Sequence, residues 1–352
     1  MDDAATGIAL ARAYFDDVVE PILADRFPGL TYSAGRLGTG SDVLGLDDAT
    51  SRDHDWGLRL TVLLTDDATE PDSIAAVSAG LDRMLPDSFR GLPTRFAFTG
   101  ETAARHHIDV DSISHFLSSR LGFDPRNGIG TEEWLSLSGQ SVLEVTSGAV
   151  FVDREVGLEA ARRALTWYPR DLWLYVLACD WLRIAQELPL MGRAADVGDD
   201  TGSRIIAARL AHAVMHLTFL LEQRWPPYAK WYGSLFSRLP LAGTVGPAVD
   251  VILTARTMEE RQDAIAAALQ TLLTRQNALG LSSVARATTV PFWDRPYLHP
   301  DRSIAAELLG AVTDPDVRRL TAGRGSIEQR TDNVDVLVDP AARLAAVRMR
   351  DL

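Results

Sequence analysis

The period of the hydrophobic residues changes once along this chain, and that change limits the folds it can reach. Up to about residue 125 the apolar residues come in short runs, at 30–35, 58–64 and 94–98, and in the alternating stretch His107-Ile108-Asp109-Val110-Asp111. Each run reads as a strand. Helical patterns over 4–25, 73–85 and 113–121 lie between and around them, so the first part predicts a mixed sheet with flanking helices. After Trp134 apolar residues recur at helical spacing over 158–165, 172–187, 203–225 and 258–279. In the last of these, Thr257 and Glu260 form a capping box and Gly280 is a C-terminal stop. The pattern predicts an α+β chain. A mixed-sheet domain over 1–150 is followed by a mainly helical bundle domain over 151–352, divided at the small-residue stretch 147–153.

Length and charge narrow the classes further. At 352 residues the chain can build two cores. With 46% hydrophobic and 24% charged residues it is neither disordered nor fibrous. A net charge of −13 disfavours a broad grip on nucleic acid or anionic lipid and favours small polar or cationic ligands. A single cysteine, Cys179, excludes an intrachain disulfide and a multi-cysteine metal site. The start Met1-Asp2-Asp3 has no basic region and no apolar run, and the longest apolar stretch, 210–221, is interrupted by two histidines. The expectation is a soluble, cytoplasmic protein without a membrane partner.

Chemistry concentrates in Gly38-Thr39-Gly40-Ser41-Asp42 and in Asp53-His54-Asp55-Trp56-Gly57, which runs into the apolar segment 58–64. Two carboxylates at i and i+2 at the mouth of a strand project to one side and repel unless a cation lies between them. Oxygen ligands alone suit Mg²⁺, which completes its shell with water and substrate phosphates. Gly40 and Ser41 supply a phosphate cradle nearby, the glycine admitting a close backbone approach and the serine opening a short helix toward an anion.

A Gly-Ser pair followed about a dozen residues later by Asp-x-Asp entering a strand resembles the nucleotidyltransferase superfamily, which includes polymerase β and the aminoglycoside and lincosamide nucleotidyltransferases. The residues are Gly40, Ser41, Asp53 and Asp55. The chain also looks similar to an uncharacterised bacterial family of nucleotidyltransferase-like proteins at Gly40 to Gly45, Asp53 to Gly57, Tyr228 to Trp231, Arg295-Pro296 and Gly325 to Gln329. The resemblance implies a third carboxylate on a later strand, for which Asp109 and Asp111 are the candidates and Asp109 the first choice. It implies two Mg²⁺ ions on Asp53, Asp55 and Asp109, and a nucleoside triphosphate held by Gly40, Ser41 and Lys230. The implied reaction moves a nucleoside monophosphate, most simply AMP, to a hydroxyl of a small polar acceptor such as an aminoglycoside-like antibiotic. Protein or tRNA acceptors, and a nucleotide-binding module without turnover, are the alternatives. Lys230 has a second argument behind it, being the one lysine beside 34 arginines, which points to a need for a compact ammonium.

Other constellations read as structural. His212 and His216 have zinc-ligand spacing, but no glutamate follows the first, so helix packing or pocket lining is expected. His106-His107 reads as a surface pair, the aromatic segments 167–173 and 225–232 as packing, and Arg193, Asp196, Asp199 and Asp200 as a polar loop. Dinucleotide-loop, P-loop and serine-hydrolase motifs are absent.

Overall fold

A five-stranded sheet organises the first part of the chain in a computed structural model that describes residues 6–48, 56–68, 71–283 and 288–348. The chain divides into two compact units, Met1–Ile129 with Ser141–Thr166, and Gly130–Gln140 with Trp167–Leu352. The fold is α+β, a mixed five-stranded sheet followed by a largely helical region. The stretch 147–153 carries a strand of the first unit's sheet, and the last of three crossings between the units falls at 166/167.

The first unit opens with α1 (Gly7–Tyr14) and α2 (Glu20–Arg26), joined without a break by a π-helical turn over Phe15–Val19. Then come β1 (Tyr32–Arg36), β2 (Arg59–Leu64), α3 (Pro71–Met84), a two-residue hairpin of β3 (Ser88–Phe89) and β4 (Leu92–Pro93), β5 (Arg95–Phe96) and β6 (Arg105–Ser112). Next follow α4 (Ile113–Leu121), α5 (Thr131–Ser136), which belongs to the second unit, α6 (Gly139–Thr146), β7 (Ala149–Asp153) and α7 (Leu158–Ala164). The sheet order is β5-β6-β2-β1-β7. Strand β2 is antiparallel to β1 and parallel to β6. Alternation sorts the strands' side chains: Tyr32, Ala34, Leu60, Val62, Leu64 and Ile108 join Leu10, Tyr14, Phe15, Val19 and Leu81 of the helices in one core. The opposite face carries Ser33, Gly35, Thr61, Leu63, Asp109 and Asp111, by the same alternation.

The second unit is built on α8 (Arg170–Asp196), α9 (Asp200–Leu221), α10 (Ala229–Phe236), α11 (Ala242–Thr254) and α12 (Met258–Ala278). A hairpin of β8 (Thr289–Pro291) and β9 (Leu298–Pro300) precedes α13 (Arg302–Gly310), α14 (Pro315–Arg318), α15 (Val334–Val338) and α16 (Pro340–Arg348). Helix α9 is long and apolar enough to cross a membrane, yet 61% of its apolar window is buried, so here it serves as a core helix packed on α8. The aromatic segments pack as expected, with Trp134, Trp167, Tyr168, Trp173 and Trp225 in tilted and edge-on contacts. The polar loop expected around 193–200 is shorter than the sequence implies. Arg193 and Asp196 are the last turn of α8, Asp199 caps α9 through a hydrogen bond from Gly202 N–H, and Asp200 pairs with Arg204 and Arg261.

Candidate functional site

Gly40 and Ser41 sit in the loop that leaves β1, and a buried ion pair gives that loop its shape. Arg36 Nε donates to Asp42 Oδ2 at 2.7 Å and Nη2 to Oδ1 at 2.8 Å, a bidentate fork. The same guanidinium donates to the carbonyls of Leu37 and Thr39. Gly40 has φ +140, and a Cβ there would collide with Arg36 Nη2 and Asp42 Oδ1. The glycine is therefore required by the ion pair beneath the loop, a reason the sequence does not display. Ser41 precedes a single 3-10 turn, Asp42–Leu44, and its side chain makes no capping bond. Three residues are too few for the dipole effect expected of a helix opening there. Ser41 instead closes the loop through its carbonyl, which accepts from Leu44 and Leu46 N–H.

The register of the sheet lines up three residues on the face away from the core. Gly35 of β1 stands opposite Thr61 of β2, and Thr61 stands opposite Asp109 of β6. Asp53 and Asp55, expected to enter β2 from its N-terminal side, lie outside the described residues, as does His54. Asp109 and Asp111 differ in their surroundings. Asp111 Oδ2 is bonded by His115 Nδ1 at 2.7 Å and its Oδ1 accepts from Ser112 N–H at 2.8 Å. Asp109 is exposed and makes no hydrogen bond or ion pair among the described residues. An open carboxylate suits a metal ligand or proton acceptor better than one already spent on a helix start. Among the described residues no three His, Cys, Asp or Glu side chains gather as a metal site. By itself Asp109 presents a carboxylate of the kind Mg²⁺ takes.

Asp109 opens into a cavity of about 910 Å³ that also reaches Thr61, Arg95, Arg105, Phe116 and Arg120. Arg120, on α4, belongs to none of the sequence motifs. Its Nη1 donates to the carbonyl of Phe116 at 3.1 Å, and its Nε lies 3.7 Å from Glu144 Oε2 of α6. A Cβ on Gly38 would stand 3.2 Å from Arg120 Nη2, so the guanidinium borders the loop that carries Gly40. Gly38 N–H is itself fixed by the carbonyl of Glu144 at 2.8 Å. Burial pushes the Arg120 guanidinium below its usual pKa, and Glu144, Asp109 and Asp111 act against that shift.

The expected surface pair at 106–107 is half wrong, because His107 is buried, stacked on Phe98 with centroids 3.7 Å apart, and bonded through Nε2 to the carbonyl of Phe96 at 2.9 Å. His106 Nδ1 accepts from Ile108 N–H at 3.3 Å.

In the second unit the two histidines of α9 pack, and their surroundings push their pKa values in opposite directions. His216 Nδ1 lies 2.7 Å from Asp180 Oδ2 and its Nε2 3.7 Å from Glu328 Oε2, all three groups buried or nearly so. Burial opposes the imidazolium, but Asp180 and Glu328 outweigh it and push His216 up to about 10. Gln329 donates to Asp180 Oδ1, and Gly139 N–H to Glu328 Oε1. His212 stacks on Tyr232 at 4.6 Å, and burial lowers it to about 4. Lys230, in the first turn of α10, is exposed, with its ammonium 4.8 Å from the ring centroid of Trp231. It makes no ion pair among the described residues. Asp180, the acid inside the apolar run 172–182, was the available sequence signal for this cluster.

Residues 134–232 match the family described as Domain of unknown function (DUF4037), less than half of the chain. A search of the curated proteins found no match. Among solved structures, the chain is similar to a nucleotidyltransferase-like protein from Exiguobacterium sibiricum 255-15, over 87% of this chain and 91% of that one. Identity is 15% and the TM-score 0.33, a likeness too loose to assign any residue.

Proposed function

We propose that the protein is a Mg²⁺-dependent nucleotidyltransferase that moves a nucleoside monophosphate, most simply AMP, onto a hydroxyl of a small polar acceptor. One observation carries the reading. The unengaged carboxylate of Asp109 lies on the strand paired in parallel with β2, the strand that the Asp53-x-Asp55 motif enters, while the Gly40-Ser41 loop leaves the antiparallel neighbour β1. Asp53, Asp55 and Asp109 would hold the metal, which supplies charge neutralisation on the phosphates when bound. In the reaction the acceptor oxygen bonds to the α-phosphorus and the bond from that phosphorus to the bridging β-oxygen breaks. Pyrophosphate leaves with the electron pair, and Asp109 takes the hydroxyl proton. Positioning and electrostatics carry such a step without a covalent enzyme intermediate. The net charge of −13 favours a cationic acceptor, of the aminoglycoside kind, over a polyanion. Incubating the protein with each of four triphosphates, Mg²⁺ and panels of small-molecule hydroxyl acceptors should release pyrophosphate with at least one combination. Silence across all of them would sink the proposal.

Two residue-level expectations follow from these roles. Asp109→Asn removes the proton acceptor, so turnover is lost while triphosphate binding, read by calorimetry, stays near wild type. Asp111→Asn leaves turnover largely intact, and the reverse pattern would exchange the two roles. Lys230, exposed and without an ion pair among the described residues, would neutralise charge on the leaving pyrophosphate. Losing such a charge-assisted contact costs roughly 1.5–3 kcal/mol. Lys230→Ala then lowers kcat/KM for the triphosphate about ten- to a hundredfold and Lys230→Arg restores part of it. Unchanged triphosphate kinetics in the alanine variant would reduce Lys230 to a surface residue.

A further inference from the structure

The strand that carries Asp109 is paired along one side and open along most of the other. On its inner side β6 pairs with β2 from His107 to Ser112, whereas on its outer side β5 pairs only with Arg105 and His106. Among the described residues no strand lies on the outer side of 107–112. The backbone groups there are turned outward at every second residue. Ile108 N–H goes to His106 Nδ1 at 3.3 Å and Ser112 N–H to Asp111 Oδ1 at 2.8 Å, side chains in place of β2. The alternation then turns Val110 N–H and the carbonyls of Ile108 and Val110 to the same side. No backbone partner meets Val110 N–H there among the described residues. The cavity of about 910 Å³ follows this edge, lined by Ile108, Asp109 and Val110, by Ser78 of α3 and by Phe116 and Ser119 of α4. A groove along unpaired strand backbone is the shape that an extended chain fills, its main chain bonding to the edge and its side chains alternating between the two faces.

We infer that the acceptor is a short basic peptide that adds to the outer edge of β6 and presents a Ser, Thr or Tyr hydroxyl to Asp109. The inference rests on the nucleotidyl-transfer reading and names the acceptor class of that site. Spacing supports the hydroxyl. A strand added to the edge lies about 4.8 Å from β6, and its residue beside Asp109 projects on the same face with its Cβ about 5 Å away. That brings a side-chain hydroxyl within reach of the carboxylate. Charge supports the basic flanks. Arg95 pairs with Asp82, Arg105 with Glu101, Arg120 with Glu144 and Asp111 with His115, while Asp109 has no ion pair among the described residues. The charge left over in the groove is negative, as is the chain at −13, so Lys or Arg beside the hydroxyl residue is favoured. The open edge is short, which limits its occupant to about six residues. In the reaction the peptide oxygen bonds to the α-phosphorus, pyrophosphate leaves with the electron pair of the broken bond, and the hydroxyl proton passes to Asp109.

The test combines the full chain, Mg²⁺ and ATP labelled at the α-phosphate with a set of blocked heptapeptides that carry Ser, Thr or Tyr at the centre and Lys or Arg in the flanks. At least one peptide should take up label, and its alanine counterpart should bind and take none. N-methylation then reads the edge directly. Methylating the peptide nitrogens that face β6, every second one, should weaken binding about tenfold at each, and methylating those between should change it by less than about twofold. Hydrogen exchange at Val110 should slow when the peptide binds. Val110→Pro removes the outward N–H at a position where an edge strand tolerates proline, and should weaken the peptide as well. If that variant does not fold, as a thermal melt shows, the methylation series on the wild-type protein decides. Equal losses at all methylated positions, or label passing to small-molecule hydroxyls or to intact proteins but to no peptide, overturns the inference while leaving nucleotidyl transfer standing. Label passing to no acceptor of any class overturns both.

Discussion

Asp53→Asn and Asp55→Asn are each expected to lower pyrophosphate release by at least about a hundredfold, the scale of losing one preorganised electrostatic contact to a transition state. Neither should unfold the protein. The two carboxylates are two residues apart in the sequence, a spacing at which they are expected to repel without a metal, so replacing one should relieve that repulsion. The melting temperature should stay level or rise slightly in metal-free buffer, and the stabilisation by Mg²⁺ with a triphosphate should vanish. Initial rates and paired melts with and without Mg²⁺ read both effects. Asparagine variants that keep wild-type rates would show that the motif does not hold the metal.

The second large effect belongs to the second unit. Asp180→Asn removes the main counter-charge of a buried imidazolium and leaves His216 facing Glu328 across 3.7 Å. Breaking one partner of a buried pair costs about 3–5 kcal/mol, enough to unfold a marginal helical core. A pH signature accompanies it. His216 has a folded-state pKa raised from 6.5 to about 10, because the attraction of Asp180 and Glu328 overcomes its burial. A raised pKa means that the imidazolium's contribution is complete below the unfolded value and is lost as pH rises through the folded one. Wild-type stability in urea should therefore decline between pH 6.5 and 10, and Asp180→Asn should flatten that decline. Equal slopes in the two proteins would mean that His216 is neutral in the fold.

That cluster also shows what the sequence could and could not tell. Helix α4 is predicted at 113–121 and found at Ile113–Leu121, because Ser112 accepts from His115 N–H as a cap and Gly122 ends it at φ +90. The Thr257–Glu260 capping box forms, and Gly280 takes φ +68. Local signals of this sort are legible because each depends on residues within one turn. Helix α8 outruns its predicted end at 187 because Pro189, a helix breaker by propensity, is accommodated inside it. The π-helical turn at Phe15–Val19 leaves no mark on the apolar pattern of 4–25 and is not legible in it.

At the candidate site the division is similar. The alternation of 107–111 puts Asp109 and Asp111 on one face, but only the His115 contact separates their roles. The Gly40-Ser41 pair is visible, whereas the Arg36–Asp42 fork that dictates Gly40 is a tertiary contact between residues with no motif of their own. Arg120 is one arginine among 34, and only its approach to Gly38 and Asp109 distinguishes it.

The central claim is that the Asp53-x-Asp55 motif binds a triphosphate through Mg²⁺. Its most direct measurement is calorimetric titration of the wild-type protein with a non-hydrolysable ATP analogue in the presence and absence of Mg²⁺, repeated with Asp55→Asn. Saturable one-site binding that requires Mg²⁺ and is abolished or weakened at least tenfold in the variant is the predicted result. Absence of binding under all conditions, or binding indifferent to both Mg²⁺ and Asp55, would contradict the account.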